Sequence, residues 1–282
     1  MNQHNNTAHS HVDPRQGHRA CVELDRDHPG FRDQAYRQRR NEIAQIALDH
    51  EPATMVPDAP YTAAENELWR GILRKLTAAH RGSACREYLR ASERLQLRRD
   101  RIPQLEQVSD RVSELADFRL EPVAGLVNAK AFLSAMSSGV FLSTQYIRHY
   151  SSPSYTPEPD VVHEMIGHAV QLANPKFAAL SRMFGRAAAR TDDSDLLAEL
   201  SRVYWYTLEF GAVREDGAVK AYGSGLLSSF GEMQRMEEVE LRELDFLEME
   251  RTAYDPTGFQ PVIYVAPSVG DLERALTQYL ER

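Results

Sequence analysis

The sequence predicts a mainly α-helical domain with a few short β-strands. Apolar residues recur at helical spacing through most of the chain, and a T-x-x-E capping box at Thr62–Glu65 marks one helix start. Strand-like runs rich in β-branched and aromatic residues are short, such as Val140–Tyr150 and the stretch FQPVIYVA. With 282 residues and 42% hydrophobic content, the chain is long enough to form one large core.

Composition excludes several classes of protein. The formal net charge is −8 and no basic stripe is present, which argues against nucleic-acid binding. No run of 18 apolar residues occurs, so a membrane-spanning helix is not expected. Two cysteines are too few for a disulfide framework, and we therefore expect a cytoplasmic protein.

The first 20 residues differ from the rest of the chain. They are polar and aperiodic, and they lack the apolar centre of a signal peptide. Four of the ten histidines lie there, but nothing in the segment can bury apolar surface. We expect residues 1–20 to form a disordered N-terminal extension and residues 21–282 to form a single domain.

In the N-terminal half, helices alternate with loops. Helices are predicted over Tyr36–His50, from Thr62 to about His80, from Ser83 onward, and from Pro103 through Phe118. The next segment, Phe118–Val127, is predicted to be extended and to turn at Gly125. Asn128 is then expected to cap a short helix that carries Phe132.

The C-terminal half is also predicted to be mainly helical, with one β-hairpin. Further helices are expected from Pro175, over Leu196–Gly211 and Glu237–Glu250, and at the end of the chain in DLERALTQYL. Asp216-Gly217 lies between two short β-like runs and is typical of a hairpin turn.

Two histidines stand out in the stretch YTPEPDVVHEMIGHAVQLA. His163 and His168 are five residues apart, about 140° around a regular helix, whereas the zinc motif H-E-x-x-H places its histidines about 40° apart. They can share a metal only if His163 lies near the helix start or the helix is locally distorted. Gly167 removes a side chain where backbone or a cofactor approaches closely. The pair alone is also compatible with two partly buried histidines.

A carboxylate, Glu209, follows in the apolar stretch WYTLEFG. A carboxylate between Leu208 and Phe210 is costly to bury unless it is paired or bound to a metal. Two imidazoles and one carboxylate form the ligand set of a non-haem Fe(II) site. A zinc hydrolase uses the same set, although the five-residue spacing disfavours it, and a binding protein with a decayed site is a further alternative.

An arginine precedes this stretch in TQYIRH. Arg148 is either a surface charge or a bidentate clamp for a carboxylate.

Taken together, these segments resemble the catalytic domain of the pterin-dependent aromatic amino acid hydroxylases. The resemblance extends in the family's order from about Leu24 to Leu280. It is carried by LDRDHPGF, IPQLEQVS, FRLEPVAGL, TQYIRH, YTPEPDVVHEMIGH, YWYTLEFG, KAYGSGLLSSFGE and FQPVIYVA.

The resemblance implies a role for each matching residue. The iron ligands are His163, His168 and Glu209. The pterin-binding residues are Phe132, Val127 and Glu164. The residues that bind the amino acid are Arg148, Thr156, Trp205 and Ser228. A structural salt bridge joins Glu158 to Arg40, and Leu142 replaces a histidine that lies near the pterin in animal members.

The resemblance also implies an activity, a ring hydroxylation that uses Fe(II), a tetrahydropterin and O₂. Tryptophan hydroxylases tend to carry Phe at the position of Trp205, so Trp205 favours L-phenylalanine, with L-tyrosine as the product. Meta-hydroxylation of phenylalanine and hydroxylation of tryptophan or tyrosine stay open as alternatives. The match to the short bacterial members, which lack an oligomerising helix, leads us to expect a monomer.

Overall fold

The structure, a computed structural model, describes residues 24–282. The extension predicted over residues 1–20 lies outside this part of the chain. The first helices are α1 (Gln34–Asp49), α2 (Ala63–Ser83), α3 (Arg86–Leu95) and α4 (Leu105–Ala116). These positions confirm the predicted helices of the N-terminal half, with boundary shifts of a few residues.

Local signals set where these helices begin. The capping box of α2 is complete, because Thr62 accepts from the Glu65 N–H and the Glu65 side chain accepts from the Thr62 N–H. Helix α3 begins at Arg86 rather than at Ser83. The break occurs because Ala84 bridges Ala221 and the Cys85 N–H donates to the Ala221 carbonyl at 2.8 Å.

A short parallel pair of strands follows. Strand β1 (Arg119–Pro122) pairs with β2 (Val140–Ser143), and α5 (Ala129–Ala135) with a 3₁₀ turn forms the crossover between them. Asn128 caps α5 as predicted, because its side chain accepts from the Ala131 N–H at 2.8 Å. After β2 the chain has neither helix nor strand from residue 144 to His149, so the strand-like run predicted from Val140 is a strand only as far as Ser143.

Two helices contain π-helical turns. The first π segment is His163–Ala169, which continues into α6 (Val170–Leu172). Helices α7 (Pro175–Ala189) and α8 (Ser194–Tyr204) follow, and α8 runs into a second π segment, Trp205–Glu209. For the first segment the sequence allowed a metal site only with a helix start near His163 or a local distortion, whereas it predicted regular helix over the second, where the π geometry is a correction.

A mixed four-stranded sheet forms the C-terminal part. It has the order β4-β3-β6-β5, with strands β3 (Ala212–Glu215), β4 (Ala218–Ala221), β5 (Glu240–Glu243) and β6 (Val262–Ala266). The β3–β4 hairpin was predicted, and its turn residues Asp216 and Gly217 have φ values of 52° and 78°. Positive φ at both positions suits the primed turn that closes two-residue hairpins.

The predicted acidic helix over Glu237–Glu250 is wrong. This region forms strand β5 and the one-turn helix α11 (Phe246–Met249). All five residues of β6 are buried, and pairing with β5 satisfies backbone groups of β6 that would otherwise lack partners inside the protein. Tertiary pairing therefore overrides the local helical preference.

The remaining helices are α9 (Ser224–Ser228), α10 (Phe230–Arg235) and α12 (Val269–Leu280). One large core extends through the domain, and its fully buried side chains include Trp69, Tyr88, Phe177 and Phe184. The first π segment passes through this core, with Met165 and Ile166 each 1% exposed. Among residues 24–282, no helix combines the length and apolar character needed to cross a bilayer.

Candidate metal centre and its surroundings

Three side chains from the two π segments converge on one point. Ligand atoms of His163, His168 and Glu209 all lie within 4.8 Å of one another. The Nε2 atoms of the two histidines are 2.9 Å apart, and Nε2 of His168 is 2.9 Å from Oε1 of Glu209. The structure thus brings together the three predicted metal ligands.

The π geometry explains how histidines five residues apart can meet. In an α-helix they would point about 140° apart. Hydrogen bonding from residue i to i+5 adds one residue to the turn, so His163 and His168 lie about one turn apart on the same side. Both conditions that the sequence allowed are therefore met, because the helix is locally distorted and the π segment begins two residues after the helix start at Val161.

Gly167 lets a second backbone reach the metal helix. A Cβ atom at this position would lie 2.7 Å from the Ser224 carbonyl oxygen and 3.0 Å from the Ser224 Cβ. The predicted close approach is thus made by α9, the helix that carries both Ser224 and Ser228.

Ser228 fixes the orientation of His163. Its hydroxyl donates to the Ser224 carbonyl at 2.7 Å and lies 2.9 Å from Nδ1 of His163. Because the hydroxyl hydrogen is used, Ser228 accepts from the Nδ1–H, which leaves a lone pair on the Nε2 of His163. Burial, assisted by the nearby His168, lowers the pKa of His163 to about 4, so the ring is neutral near pH 7.

Glu209 is held as a carboxylate. Burial alone would raise its pKa, but the neighbouring His168 and His163, with the Ser224 hydroxyl that donates to Oε2 at 2.9 Å, lower the pKa to about 2. Burial raises the pKa of the adjacent Tyr204 well above its ordinary value, and Glu209 adds to this shift. A lone pair on a neutral imidazole and an ionised carboxylate are what a divalent metal requires of its ligands.

Arg148 is not a surface charge, because its side chain is only 2% exposed. It forms two hydrogen bonds to Asp160, from Nε at 2.9 Å and from Nη2 at 2.7 Å. Asp160 also accepts from the backbone N–H of His163 at 3.1 Å, and so joins Arg148 to the start of the metal helix. The remaining nitrogen, Nη1, has contacts of 3.5 Å to the carbonyls of Pro153 and Ser228.

Glu164, next to the first histidine, is buried and turned towards β2. One of its carboxylate oxygens accepts from both the backbone N–H and the hydroxyl of Thr144, at 3.1 and 3.0 Å. Burial raises the pKa of Glu164 to about 7. A carboxyl group with this pKa can hold a proton near neutral pH.

Phe132, the aromatic residue predicted to bind the pterin, contacts a second aromatic ring that packs against His168. Phe132 packs edge-to-face against Phe141 at 5.4 Å between ring centroids and against Tyr204 at 5.8 Å. Phe141 in turn lies 4.3 Å from the ring of His168. Val127, on the loop before α5, is 37% exposed.

Two predicted substrate residues lie on separate segments. Trp205 begins the second π segment, half-buried, and packs against Phe210 and Tyr254. Thr156 is half-buried in the turn before the metal helix, where its neighbour Tyr155 packs against Phe259.

The salt bridge predicted between Arg40 and Glu158 is present, with Nη2 2.8 Å from Oε2. It ties α1 to the turn that precedes the metal helix.

Sequence reasoning missed two residues that orient the site, Asp160 and Ser224. Asp160 had a recognisable signal, because an acid three residues before His163 matches a helix-capping position. Ser224 had none, since its role depends on how α9 packs against the second π segment.

A family model described as biopterin-dependent aromatic amino acid hydroxylase matches residues 15–282. Tyrosine 3-monooxygenase of Bos taurus is 44% identical over 266 residues, which cover 92% of this chain and 54% of that protein. The chloroplastic phenylalanine 4-monooxygenase of Chlamydomonas reinhardtii is 43% identical over 261 residues, 92% of this chain and 72% of that one. The chain thus spans about half the length of the bovine relative.

Solved structures with the same fold include bacterial phenylalanine hydroxylases. The Chromobacterium violaceum protein, with bound iron(III) and the oxidised cofactor 7,8-dihydrobiopterin, is 26% identical with a TM-score of 0.76, covering 86% of this chain and 90% of that one. The Legionella pneumophila protein is 29% identical with a TM-score of 0.74, covering 82% of this chain and 92% of that one.

Proposed function

This chain belongs to the biopterin-dependent aromatic amino acid hydroxylase family, and from that premise we propose that it hydroxylates the ring of L-phenylalanine to give L-tyrosine. The proposed cofactor is Fe(II), and the cosubstrates are a tetrahydropterin and O₂. The observation that carries this proposal is the convergence of His163, His168 and Glu209 from two π segments.

The metal ligands and their supports fit Fe(II). Two imidazoles that bind through Nε2 and one carboxylate would hold Fe(II) with coordination positions left open, and iron bound there with a tetrahydropterin would supply the activation of O₂. The chain's own contribution is to hold the ligands in place. Ser228 orients His163 and Ser224 holds Glu209, and the buried ring of Phe141 covers His168 and keeps water away from it.

For the pterin, we propose a site between Phe132, Val127 and Glu164. Phe132 offers an aromatic face for stacking. The carboxyl group of Glu164, with a pKa of about 7, can donate a hydrogen bond to the pterin ring or accept one from it. Leu142, in β2, offers no such hydrogen bond.

For the amino acid, we propose that Arg148 binds the carboxylate through Nη1, the nitrogen that Asp160 does not engage. Thr156 and Ser228 complete this polar end. Trp205 forms the wall around the aromatic ring, where its width favours a single six-membered ring over an indole.

A second candidate substrate is L-tyrosine, favoured by the 44% identity to bovine tyrosine 3-monooxygenase. Meta-hydroxylation of phenylalanine and hydroxylation of tryptophan are further outcomes of the same assay. Family membership removes the reason for considering a zinc hydrolase. We also propose that the protein is a cytoplasmic monomer without nucleic-acid or membrane partners, in keeping with its net charge of −8 and two cysteines.

One assay tests the proposed function directly. The full chain is loaded with Fe(II) and supplied with tetrahydrobiopterin, O₂ and, in turn, phenylalanine, tyrosine or tryptophan. Chromatography and mass spectrometry then identify each product. We expect phenylalanine to give the highest kcat/KM and para-tyrosine as its product. A higher kcat/KM for tyrosine, meta-tyrosine as the product, or no turnover of any amino acid would each contradict the proposal.

A further inference from the structure

The indole of Trp205 is held by a loop that the metal site does not include. Trp205 and Glu209 are the first and last residues of the second π segment. The indole stacks on Tyr254, with ring centroids 4.3 Å apart and planes inclined by 16°. Phe210 packs against it at 4.6 Å. We call residues 254–260, which include Tyr254, the Gln260 loop.

Gln260 makes the polar contact of that indole. Its Oε1 accepts from the indole Nε1–H of Trp205 at 2.8 Å. An indole N–H can only donate, so the amide oxygen has to face it. The amide nitrogen then donates to the carbonyls of Gly258 and Asp255, at 3.1 and 3.3 Å. Gln260 is 3% exposed, and its amide therefore has one orientation that satisfies both ends.

The Gln260 loop is itself anchored on two sides. The backbone N–H of Gln260 donates to Oε1 of Glu232, on α10, at 3.0 Å. The ring of Phe259 lies 4.7 Å from Tyr155, the neighbour of Thr156. A Cβ at Gly231 would come within 2.8 Å of the same ring. The loop therefore has little freedom to move, and the hydrogen bond that Gln260 accepts restricts the orientation of the Trp205 indole.

We propose that Gln260 is a positioning residue that sets the plane of Trp205 and, through it, the preference for one aromatic side chain over another. This inference rests on the proposed function, because it takes Trp205 as the wall of the amino-acid site. Without an acceptor, the half-buried indole N–H loses its hydrogen-bond partner, and we expect the ring to rotate towards another acceptor. The wall then moves, and a benzene ring and an indole are discriminated differently.

The test is a comparison of four enzymes. Gln260→Met keeps the length of the side chain and removes the amide, and it is made in the wild-type and in the Trp205→Phe background. The ratio of kcat/KM for phenylalanine to that for tryptophan is measured for each. We expect Gln260→Met to change this ratio at least about fivefold beside Trp205 and by less than about twofold beside Phe. Equal changes in both backgrounds, or none in either, would overturn the proposal.

A rescue variant separates positioning from general stability. Gln260→Glu keeps an oxygen that accepts from the indole N–H and is expected to hold the ratio within about twofold of the wild type. A Gln260→Glu ratio as altered as that of Gln260→Met counts against the proposal. If Gln260→Met does not fold, Gln260→Asn is used instead. Its side chain is one methylene shorter, which moves the amide oxygen away from the indole N–H.

Fluorescence gives a readout that does not depend on turnover. The chain has two tryptophans, so Trp69→Phe leaves Trp205 as the sole emitter. In that background we expect Gln260→Met to shift the emission maximum of Trp205, and an unchanged spectrum would refute the hydrogen bond. If the wild type hydroxylates no aromatic amino acid, the proposed function fails, and the spectrum still decides whether Gln260 holds Trp205.

Discussion

The side-chain amide of Gln171 donates to the carbonyl oxygen of Leu208 at 2.8 Å, and so joins the helix of His168 to the residue beside Glu209. The same amide donates to the Tyr222 carbonyl at 3.0 Å, and Gln171 is 1% exposed. Carbonyls at a helix end need partners from outside the helix. Gln171 supplies one, and thereby fixes the distance between two of the three metal ligands.

Replacing Gln171 with Met should therefore weaken iron binding. The loss of both bonds is expected to destabilise the fold by about 1–3 kcal/mol and to lower Fe(II) affinity by about tenfold. Chelator competition measures the affinity, and urea unfolding of the metal-free protein measures the stability. Ser181→Ala, which removes a buried hydroxyl bond to the Phe177 carbonyl away from the site, is the control. An affinity equal to that of the control would show that Gln171 acts on stability alone.

Ser228→Ala should loosen His163. Without the hydroxyl, Nδ1 loses the partner that keeps its hydrogen, and we expect Fe(II) affinity to fall by about tenfold or more. Ser201→Ala is a matched control, because its hydroxyl makes the same 2.7 Å bond to the carbonyl four residues earlier but contacts no histidine. Titration calorimetry with Fe(II) compares the two variants. Equal losses of affinity would contradict the orienting role of Ser228.

Glu209→Ala should abolish both metal binding and turnover. It removes the only negatively charged member of the predicted ligand set, and we expect Fe(II) affinity to fall by at least about a hundredfold. Glu243→Ala, on the exposed edge strand, should leave both unchanged. Metal content is measured after reconstitution and desalting. A Glu209→Ala protein that retains iron and full activity would exclude Glu209 as a ligand.

Arg148→Met should have two separable effects. It leaves Asp160, which is 0% exposed, as an unpaired buried charge, and we expect a loss of about 3–5 kcal/mol in stability. It should also raise KM for the amino acid far more than KM for the pterin. Adding Asp160→Asn removes the stranded charge, so the double variant should regain stability and keep the high KM. If both KM values rise equally, Arg148 does not bind the substrate carboxylate.

His80 should make the protein sensitive to acid. Burial lowers its pKa to about 4, and its Nε2–H donates to the Leu227 carbonyl at 2.7 Å. The unfolded chain takes up this proton near pH 6.5, before the folded chain does. Stability is therefore complete above that pH and falls as the pH drops towards 4, by up to about 1.4 kcal/mol per pH unit.

His80→Gln keeps a donor for Leu227 and removes the titration. Urea unfolding at about pH 7 and pH 5 should show a smaller acid-induced loss in this variant than in the wild type. The metal ligands are common to both proteins, so the difference isolates His80. Parallel losses in the two proteins would assign the acid sensitivity to other groups.

Features that depend on adjacent residues were predictable from the sequence. The capping box at Thr62, the Asn128 cap and the Asp216-Gly217 turn all lie where the sequence places them. The three residues predicted as metal ligands also converge as expected.

Features that depend on distant partners were not predictable. Strand β5 forms because β6 lies beside it, although the segment reads as an acidic helix. Asp160 meets Arg148 across 12 residues, and Ser224 reaches Glu209 across 15. Neither pairing leaves a local pattern. The spacing of His163 and His168 allowed either a helix start near His163 or a local distortion, and the π segment His163–Ala169 is visible only in the folded chain.

The π segment at His163–Ala169 makes the metal site sensitive to the deletion of a single residue. A π turn holds one residue more than the α turn it replaces. Deleting a single residue between the two histidines, such as Ile166, would let an ordinary α-helix re-form and leave most of the core intact. The histidines would then be four residues apart, about 40° around an α-helix, and the side chains after the deletion would keep their direction towards α9 and Glu209 because one α turn replaces one π turn. The chain would still fold, but its two histidines would match the spacing of a zincin rather than the site described above.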